Sequence, residues 1–376
     1  MESVYHFSYL KEDSDSIVAL NSNAGDTALL QATRDLFEKY TNVKYWKNKW
    51  LLNEVDSERL DDLNNNSKAV LIGGGGLFLK DQAGADVSKS GWSWNCSIEM
   101  LKRIKVPIIF FAVGYNRFRN QEDFDPIFGE FMSVLIGKSL FFSLRNNGSV
   151  NAIKNYIKDD VIKEKINLQP CPTTVSWYIY KDLIERINKS KKRECKKAMA
   201  VNLAYDRKEF RFIGKEKQIE NSIARVVKKY SETGWNITII CHKPQDAEIE
   251  SSFKKNGIKY DLVDISESIP EEIIKFYMGM DLVVGGRGHA QMIPFGLRRN
   301  IVSLVSHYKL KWFLEDVGHS EWGVDVLDDN LEGKLEYMIQ KFGIKEYELT
   351  NNNIVEAQNK LWEITLNNMS KISKMI

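Results

Sequence analysis

The chain has 376 residues, 43% of them hydrophobic and 28% charged, with a formal net charge of +2. This length exceeds the size of one core and predicts two domains, and the balanced charge gives no case for nucleic-acid binding. No apolar run approaches 18 residues, which excludes a transmembrane helix. The four widely spaced cysteines and the absence of a signal-peptide pattern predict a cytoplasmic protein with reduced thiols and no metal site. The slightly basic composition permits loose association with the inner face of a membrane.

Short apolar runs alternate with amphipathic stretches along the chain, which is typical of βαβ units. In the first half the sequence predicts strands over residues 16–20, 68–72, 107–113, 139–144 and 174–178, with helices over 27–40, 96–104, 126–137 and 149–157. A polar, basic stretch at 188–197 is interpreted as a linker, with a solvated helix end as the alternative. The second half predicts strands over 198–203, 236–241, 259–263, 282–284 and 301–305, with helices over 215–232, 246–256, 270–278, 290–297, 309–317 and 331–342. A last long helix is predicted over 346–372.

Two consecutive βαβ series joined by a short linker predict an α/β protein with two Rossmann-like domains that face each other across a cleft. The expected N-terminal domain is 1–187 and the expected C-terminal domain is 198–345. The terminal helical segment 346–376 is expected to pack back over the joint. Ligands of parallel sheets bind beyond the carboxyl ends of the strands. The residues that directly follow the predicted strands are therefore the candidates for a functional site.

The most informative strand end is the run from Gly285 to His289, which follows an apolar strand. Gly286 allows close approach of a ligand to the backbone, Arg287 offers a planar fork for carboxylate or phosphate, and His289 can move a proton near neutral pH. The N-terminal N–H groups of the helix predicted at 290–297 would point at the same place. The alternative is a tight turn with a solvated arginine and a packed histidine.

A second candidate loop follows the strand predicted at 16–20. Asn23 and Gly25 favour a turn, and Asp26 precedes a predicted helix. Asp26 is interpreted either as the cap of that helix or as a carboxylate that orients or deprotonates a hydroxyl. The four glycines at 73–76, with Gly74 and Gly75 at their centre, predict close approach of a ligand or of the opposing domain.

Further cationic or polar residues follow other predicted strands. Arg145 is interpreted as an anion clamp or as half of a surface salt bridge. The remaining strand-end candidates are Asn116, Arg117, His242, Lys243, His307 and Lys309. Because cationic or imidazole side chains recur at these strand ends, the sequence predicts an anionic ligand, phosphate or carboxylate, in the cleft.

These residues, in this order, resemble the polysaccharide pyruvyl transferases. The markers are the loop that ends in Gly25-Asp26, the glycine run, Ser143-x-Arg145, Gly286-Arg287-x-His289 and Lys309 ahead of Trp312. The resemblance implies a GT-B-like pair of Rossmann domains with an acceptor side in the first and a donor side in the second. It also implies transfer of the enolpyruvyl carbons of phosphoenolpyruvate to two hydroxyls of a sugar in a cell-surface polysaccharide or its precursor, free or lipid-linked. No cofactor or metal is expected.

The resemblance assigns roles to individual positions. His289 is the expected general acid, with His307 as competitor, and Asp26 is the expected partner of the attacking hydroxyl. The expected donor-binding residues are Arg287, Arg145, Lys309, His307 and Gly286. The expected acceptor or cleft residues are Asn23, Gly25, Gly74, Gly75, Asn116, Arg117, Trp92 and Trp94, of which the two tryptophans either stack on a sugar or hold their own loop together.

Several features depart from the family pattern. Gly288 stands between Arg287 and His289 where the family has a bulky apolar residue, Pro294 interrupts the following helix, and His307 stands where many members carry a different residue. The Trp-rich insert at 91–95 is interpreted as a feature of a subgroup. The rival interpretation is a GT-B glycosyltransferase that uses a sugar nucleotide, because the same cations would hold its diphosphate. A non-catalytic anion-binding or scaffold protein is the third alternative.

Overall fold

The computed structural model describes residues 3–12, 17, 19–20, 22–190 and 196–376. Its first half forms a six-stranded sheet in the order β2-β1-β3-β4-β5-β6, and every strand pairing in it is parallel. The strands are β1 (Ser3–Ser8), β2 (Trp46–Trp50), β3 (Ser67–Phe78), β4 (Ile108–Tyr115), β5 (Phe141–Leu144) and β6 (Ile166–Leu168).

The second half repeats this architecture with a six-stranded parallel sheet in the order β12-β11-β10-β7-β8-β9. Its strands are β7 (Ala198–Asn202), β8 (Asn236–Cys241), β9 (Asp261–Asp264), β10 (Leu282–Gly285), β11 (Asn300–Val305) and β12 (Gly323–Asp325). The predicted α/β class with two facing Rossmann-like halves is confirmed.

Helices connect the strands of both sheets. In the first half they are α1 (Ala24–Tyr40), α2 (Ser57–Asn66), α3 (Val87–Ser90), α4 (Ile98–Arg103), α5 (Pro126–Lys138), α6 (Asn147–Lys154), α7 (Asp160–Glu164), α8 (Ser176–Ile179) and α9 (Lys181–Ser190). In the second half they are α10 (Lys208–Arg211), α11 (Glu216–Glu232), α12 (Glu250–Lys255), α13 (Pro270–Met278), α14 (His289–Gly296), α15 (Tyr308–Asp316), α16 (Leu331–Gln340) and α17 (Tyr347–Ser373). Shorter 3₁₀ or π turns cover Pro172–Val175, Pro244–Ile249, Ser320–Trp322 and Lys341–Lys345.

The start of the first sheet differs from the prediction. The first strand is β1, not the strand predicted at 16–20. Residues 16 and 18 of that predicted strand lie outside the described residues, as do the nearby residues 13–15 and 21. Ala19 forms an isolated bridge with Leu10. The sequence pattern does not predict β1, because the polar residue His6 interrupts its apolar run. In the structure His6 is buried and its ring hydrogen-bonds the carbonyl of Gly73. The pattern does not predict the edge strand β2 either, because two of its five residues are lysines. One of them, Lys49, forms an ion pair with Asp62.

The joint between the halves also differs from the prediction. Residues 174–178 form a 3₁₀ turn followed by α8 rather than a strand. Val175, Ile184 and Ile187 pack in cores made mainly by the second half, so the chain crosses over before the predicted boundary at 187. The helix α9 continues to Ser190, and residues 191–195 of the predicted linker lie outside the described residues.

The last helix returns to the first domain. Ile354, Ala357 and Leu361 near the start and middle of α17 pack in the core of the second domain. Met369 and Ile372 near its end pack with residues of the first domain. The predicted terminal helix over the joint is therefore confirmed, and it holds the two sheets in one arrangement.

Candidate active site

A polar cavity lies between the two domains at the carboxyl ends of the strands. Its free volume is about 160 Å³. Tyr9 follows β1 and Gly76 lies near the end of β3, while Asp206 follows β7 and Arg287 follows β10. In both sheets these neighbouring strands are the place where the strand order reverses, which is where open α/β sheets bind ligands. The cavity therefore lies between the points at which the strand order reverses in the two sheets, which face each other.

The N-terminus of α1 forms one wall of this cavity. Asn23 is the cap of the helix, since its side chain accepts from the backbone N–H of Gly25. Asp26 lies in the first turn, faces the cavity and accepts a hydrogen bond from the Asn23 amide at 2.8 Å, so the capping role considered for Asp26 belongs to Asn23. A Cβ atom on Gly25 would lie 2.5 Å from the His289 ring, so only glycine allows the two domains to approach this closely here.

Arg287 is fully engaged by two carboxylates on the opposite wall. Its Nε and Nη2 donate to the two oxygens of Asp246 at 2.6 and 2.5 Å, and its Nη1 donates to Asp206 at 2.5 Å. Asp206 also accepts from the buried Arg211. Burial raises the pKa of Asp206, but Arg211 and Arg287 outweigh this and hold that pKa well below its usual range. The guanidinium of Arg287, which the sequence predicted to bind a ligand, therefore binds two carboxylates of the protein instead.

Arg145 is in the opposite situation. The side chain is 5% exposed, and within the described part of the chain its Nε and Nη2 atoms have no hydrogen-bond partner. It lies across the backbone of Gly114, where a Cβ atom would come within 2.2 Å of Nε. Burial lowers the pKa of this guanidinium. A buried charge without a partner is costly, so this position calls for an anion.

His289, the first residue of α14, lies between Asp26 and a buried thiol. Its Nδ1 is 3.8 Å from an Asp26 oxygen and its Nε2 is 3.7 Å from the Cys171 sulfur. Burial, with further contributions from Arg145, His242 and Lys309, lowers the pKa of His289 well below its usual value. This shift favours the neutral imidazole in the unliganded protein.

Lys309 adds a further cation to the same cavity. Its Nζ donates to the side-chain oxygen of Asn116 at 3.4 Å, and burial together with Arg211 and Arg145 lowers its pKa well below the usual range. His307 does not line the cavity: it is fully buried, its Nδ1 accepts from the backbone of Lys309, and its ring lies edge-on to Phe118. The direct donor contact expected of His307 is therefore not available in this conformation.

Several predicted site residues lie elsewhere. Trp92 and Trp94 are wholly buried in the aromatic core of the first domain, so their predicted stacking on a sugar is wrong and the structural alternative applies. Arg117 faces another surface, where it bonds Gln121 and Asp123. Gly74 and Gly75 have φ angles of 68° and 124° inside β3 and shape an irregular strand rather than a loop at the ligand.

Gly286 does not line the cavity, because it packs against the backbone at the end of β7. Gly25 packs directly behind His289. The expected positions that the cavity brings together are Asn23, Asp26, Asn116, Arg145, His242, Lys243, Arg287, His289 and Lys309.

The sequence did not reveal the two carboxylates that bind Arg287 or the thiol behind the cavity. Asp206 and Asp246 each follow a strand of the second sheet, and Arg211 and Cys171 complete the set. The rule that singled out cations after strands would have found Asp206 and Asp246 if it had been applied to acidic residues. No group of three or more His, Cys, Asp or Glu side chains arranged to hold a metal occurs among the described residues.

Comparison with known proteins agrees with this geometry. The sequence model of the polysaccharide pyruvyl transferase family matches residues 23–308, about three quarters of the chain. The chain belongs to the polysaccharide pyruvyl transferase family. It is therefore a member of a transferase family, and the match begins at the Asn23 cap and ends at the start of α15. No curated protein sequence is significantly similar to the chain.

Solved structures share the fold at low sequence identity. A UDP-GlcNAc 2-epimerase from Neisseria meningitidis bound to UDP-GlcNAc has a TM-score of 0.53 and 11% identity, covering 98% of this chain and 100% of that one. The S. aureus MnaA–UDP complex has a TM-score of 0.52 and 14% identity over 94% and 91% of the chains. The H548A variant of the wall teichoic acid polymerase TagF has a TM-score of 0.51 and 11% identity over 100% and 90%. The predicted GT-B-like fold is confirmed, and within the described residues no helix is long and apolar enough to cross a bilayer.

Proposed function

We propose that this transferase moves a pyruvyl group from phosphoenolpyruvate to two hydroxyls of a sugar in a cell-surface polysaccharide or its precursor. The observation that carries the proposal is the buried guanidinium of Arg145, whose Nε and Nη2 lack a hydrogen-bond partner among the described residues, in a cavity that Lys309 and His289 also line. An anion with two charged groups would supply the missing partners of these side chains. The three free cysteines of the described residues, Cys96, Cys171 and Cys241, suit the proposed cytoplasmic location.

The donor site that we propose differs from a simple pair of arginine forks. Arg145 and Lys309 hold the carboxylate and phosphate of the donor, since both line the cavity without a carboxylate partner in the described residues. Arg287 positions Asp206 and Asp246 and does not contact the donor directly. The volume of the cavity, about 160 Å³, is close to that of a cavity that binds one benzene ring. This volume suits a three-carbon phosphate, whereas a sugar nucleotide would fit only in part.

In the proposed reaction His289 delivers a proton to the methylene carbon of the donor, which becomes the methyl group. Two sugar oxygens then form bonds to the neighbouring carbon, the bond from that carbon to the phosphate oxygen breaks, and phosphate leaves. The two hydroxyl protons balance the proton gained by the methyl group and the proton that leaves with the phosphate. Asp26, next to His289, accepts the hydroxyl proton and can return it to the imidazole.

Separate additions of phosphoenolpyruvate and of a panel of sugar nucleotides would test this function. A ligand at about 100 times its Kd stabilises the folded protein by roughly 2.7 kcal/mol, which a thermal unfolding experiment detects. We expect stabilisation by phosphoenolpyruvate, and phosphate release once a saccharide acceptor is added. Stabilisation by a sugar nucleotide alone, with turnover of that compound, would favour the glycosyltransferase instead.

A further inference from the structure

A groove lies on the surface beside the active-site cavity, between α6 of the first domain and α15 of the second. It consists of two adjoining depressions of about 490 and 410 Å³, which share Ala152, Asn155 and Trp312. These volumes are in the range of sites that bind small molecules or short oligomers. The groove is larger than the cavity that contains His289 and has no role in the donor chemistry described above.

Aromatic rings form one side of the groove. The ring of Tyr308 lies nearly parallel to that of Trp312, with an interplanar angle of 19° and centroids 5.8 Å apart. Tyr308 is 42% exposed, which is unusual for a large ring supported by another ring. The indole is fixed from behind, since a Cβ atom on Gly148 would lie 2.0 Å from it. This side of the groove is a rigid aromatic surface open to solvent.

The opposite side of the groove carries polar side chains. Asn151 on α6 and Asn155, the residue that directly follows α6, are exposed and lie one helical turn apart. Asp316 at the end of α15 accepts two hydrogen bonds from Asn147 at 3.0 Å, which closes the groove across the two domains. Amide groups both donate and accept, so they match the hydroxyls of a sugar. A flat aromatic face opposite such groups suits a ring with one apolar face and polar edges.

Residues that line the groove are direct chain neighbours of residues that line the cavity in two places. Tyr308 lines the groove and the next residue, Lys309, lines the cavity. In the other domain Tyr115 and Arg117 line the groove while Asn116, between them, lines the cavity and accepts from Lys309. The groove and the cavity are therefore neighbours, and the contact between Asn116 and Lys309 lies on the cavity side of this boundary.

We propose that this groove binds the saccharide acceptor, holding sugar units that precede the one that reacts. The inference rests on the proposed function, because it takes the cavity beside Lys309 as the place of transfer. Tyr308 and Trp312 supply the stacking surface, and Asn151 and Asn155 supply hydrogen bonds to the hydroxyls. The enzyme is therefore specific for an oligomeric acceptor rather than a free monosaccharide.

Binding of the full-length protein to an array of defined microbial-type oligosaccharides and their constituent monosaccharides tests the groove without any donor. We expect selective retention of oligosaccharides. Retention should fall about tenfold in Tyr308→Ala, equivalent to about 1.4 kcal/mol. The Asn151→Ala/Asn155→Ala variant tests the other side without disturbing packing, since both residues are exposed. The matched control is Tyr45→Ala, which removes a ring of the first domain that is 50% exposed and lies outside the groove.

The outcomes separate the two proposals. Loss of oligosaccharide binding in both groove variants, with an unchanged control, supports the groove even if phosphoenolpyruvate does not bind. Equal binding by the groove variants and the unmodified protein, retention of monosaccharides alone, or no retained glycan would overturn it. Competition by uridine diphosphate at the groove would also overturn it, because the aromatic surface would then hold a nucleotide. Failure of the proposed function shows separately, as absence of stabilisation by phosphoenolpyruvate in a protein that still binds glycans.

Discussion

The two walls of the active-site cavity contain the same kinds of cation but treat them differently. On the wall built by the second sheet, Arg287 and Arg211 are neutralised by Asp206 and Asp246. On the other side Arg145 is buried, and its Nε and Nη2 have no hydrogen-bond partner among the described residues. The first arrangement fixes the shape of the wall, whereas the second leaves hydrogen-bonding capacity for a ligand. Two arginines that look equivalent in the sequence therefore differ in what their removal should do.

The largest effect should come from the histidine that faces the unpaired wall. Replacement of His289 by glutamine keeps a polar side chain of similar length but removes the proton donor. We expect turnover of phosphoenolpyruvate, followed as phosphate release, to fall about 10²–10⁴-fold while donor binding is largely kept. A variant with near-normal turnover would show that the proton comes from another group.

The competitor for this role is His307, which the structure buries behind the cavity. His307→Asn should keep most of the turnover, because asparagine can still accept the hydrogen bond from the Lys309 backbone at the start of α15. A dead His307→Asn beside an active His289→Gln would reverse the assignment. Loss in both variants, together with lower thermal stability, would point to the fold instead.

Removal of Arg287, the arginine that is paired with carboxylates, should mainly lower the stability of the fold. Arg287→Ala leaves Asp246, which is wholly buried, and Asp206 without their main partner. Breaking such a pair by removing one member costs about 3–5 kcal/mol of the free energy of unfolding, measurable by urea denaturation. The matched control is Arg207→Ala, because Arg207 makes an equally bidentate but partly exposed contact with Asp81 and should cost about 1 kcal/mol or less. Equal losses in the two variants would contradict the structural role of Arg287.

Removal of Arg145, whose Nε and Nη2 lack a hydrogen-bond partner among the described residues, should mainly weaken donor binding. Arg145→Ala removes a buried charge that lacks full hydrogen bonding, so the free energy of unfolding should stay the same or rise. The affinity for phosphoenolpyruvate, measured by titration calorimetry, should fall at least about tenfold, since a lost charge-assisted hydrogen bond costs about 1.5–3 kcal/mol. Arg145→Lys should recover little, because lysine lacks the planar fork. Unchanged affinity in Arg145→Ala would remove this residue from the donor site.

The sequence identified the inner strands of both sheets except β1, since buried parallel strands are short apolar runs and β1 carries the polar residue His6. It missed β2, β6 and β12, which are edge strands of three to five residues with polar side chains. Within the site, it found Arg145, Arg287 and His289 but not which arginine is paired. That difference depends on Asp206 and Asp246, which are 81 and 41 residues away from Arg287 in the chain. Such pairing is a property of the assembled cavity, and no local pattern records it.

The smallest expected effect is a pH dependence of ligand binding. In the free protein burial and the neighbouring cations hold the pKa of His289 well below 6.5, whereas a bound anion offsets those cations and raises that pKa. Binding therefore takes up a proton between the two pKa values. The affinity should rise as pH falls through this window, by less than about tenfold per pH unit for one proton. Oxalate is a suitable probe because it keeps its charge between pH 6 and about pH 8.

Two variants identify the group responsible for this pH dependence. His242 also faces the cavity, but burial lowers its pKa to about 3, so it stays neutral throughout the window. Lys309, whose pKa is also held well below its usual value, is the remaining group that can gain a proton when the anion binds. We expect His289→Gln to abolish the pH dependence of the oxalate affinity and Lys309→Met to weaken binding at every pH while the dependence persists. The reverse pattern would assign the proton uptake to Lys309, and the neutral histidine would then remain neutral in the complex.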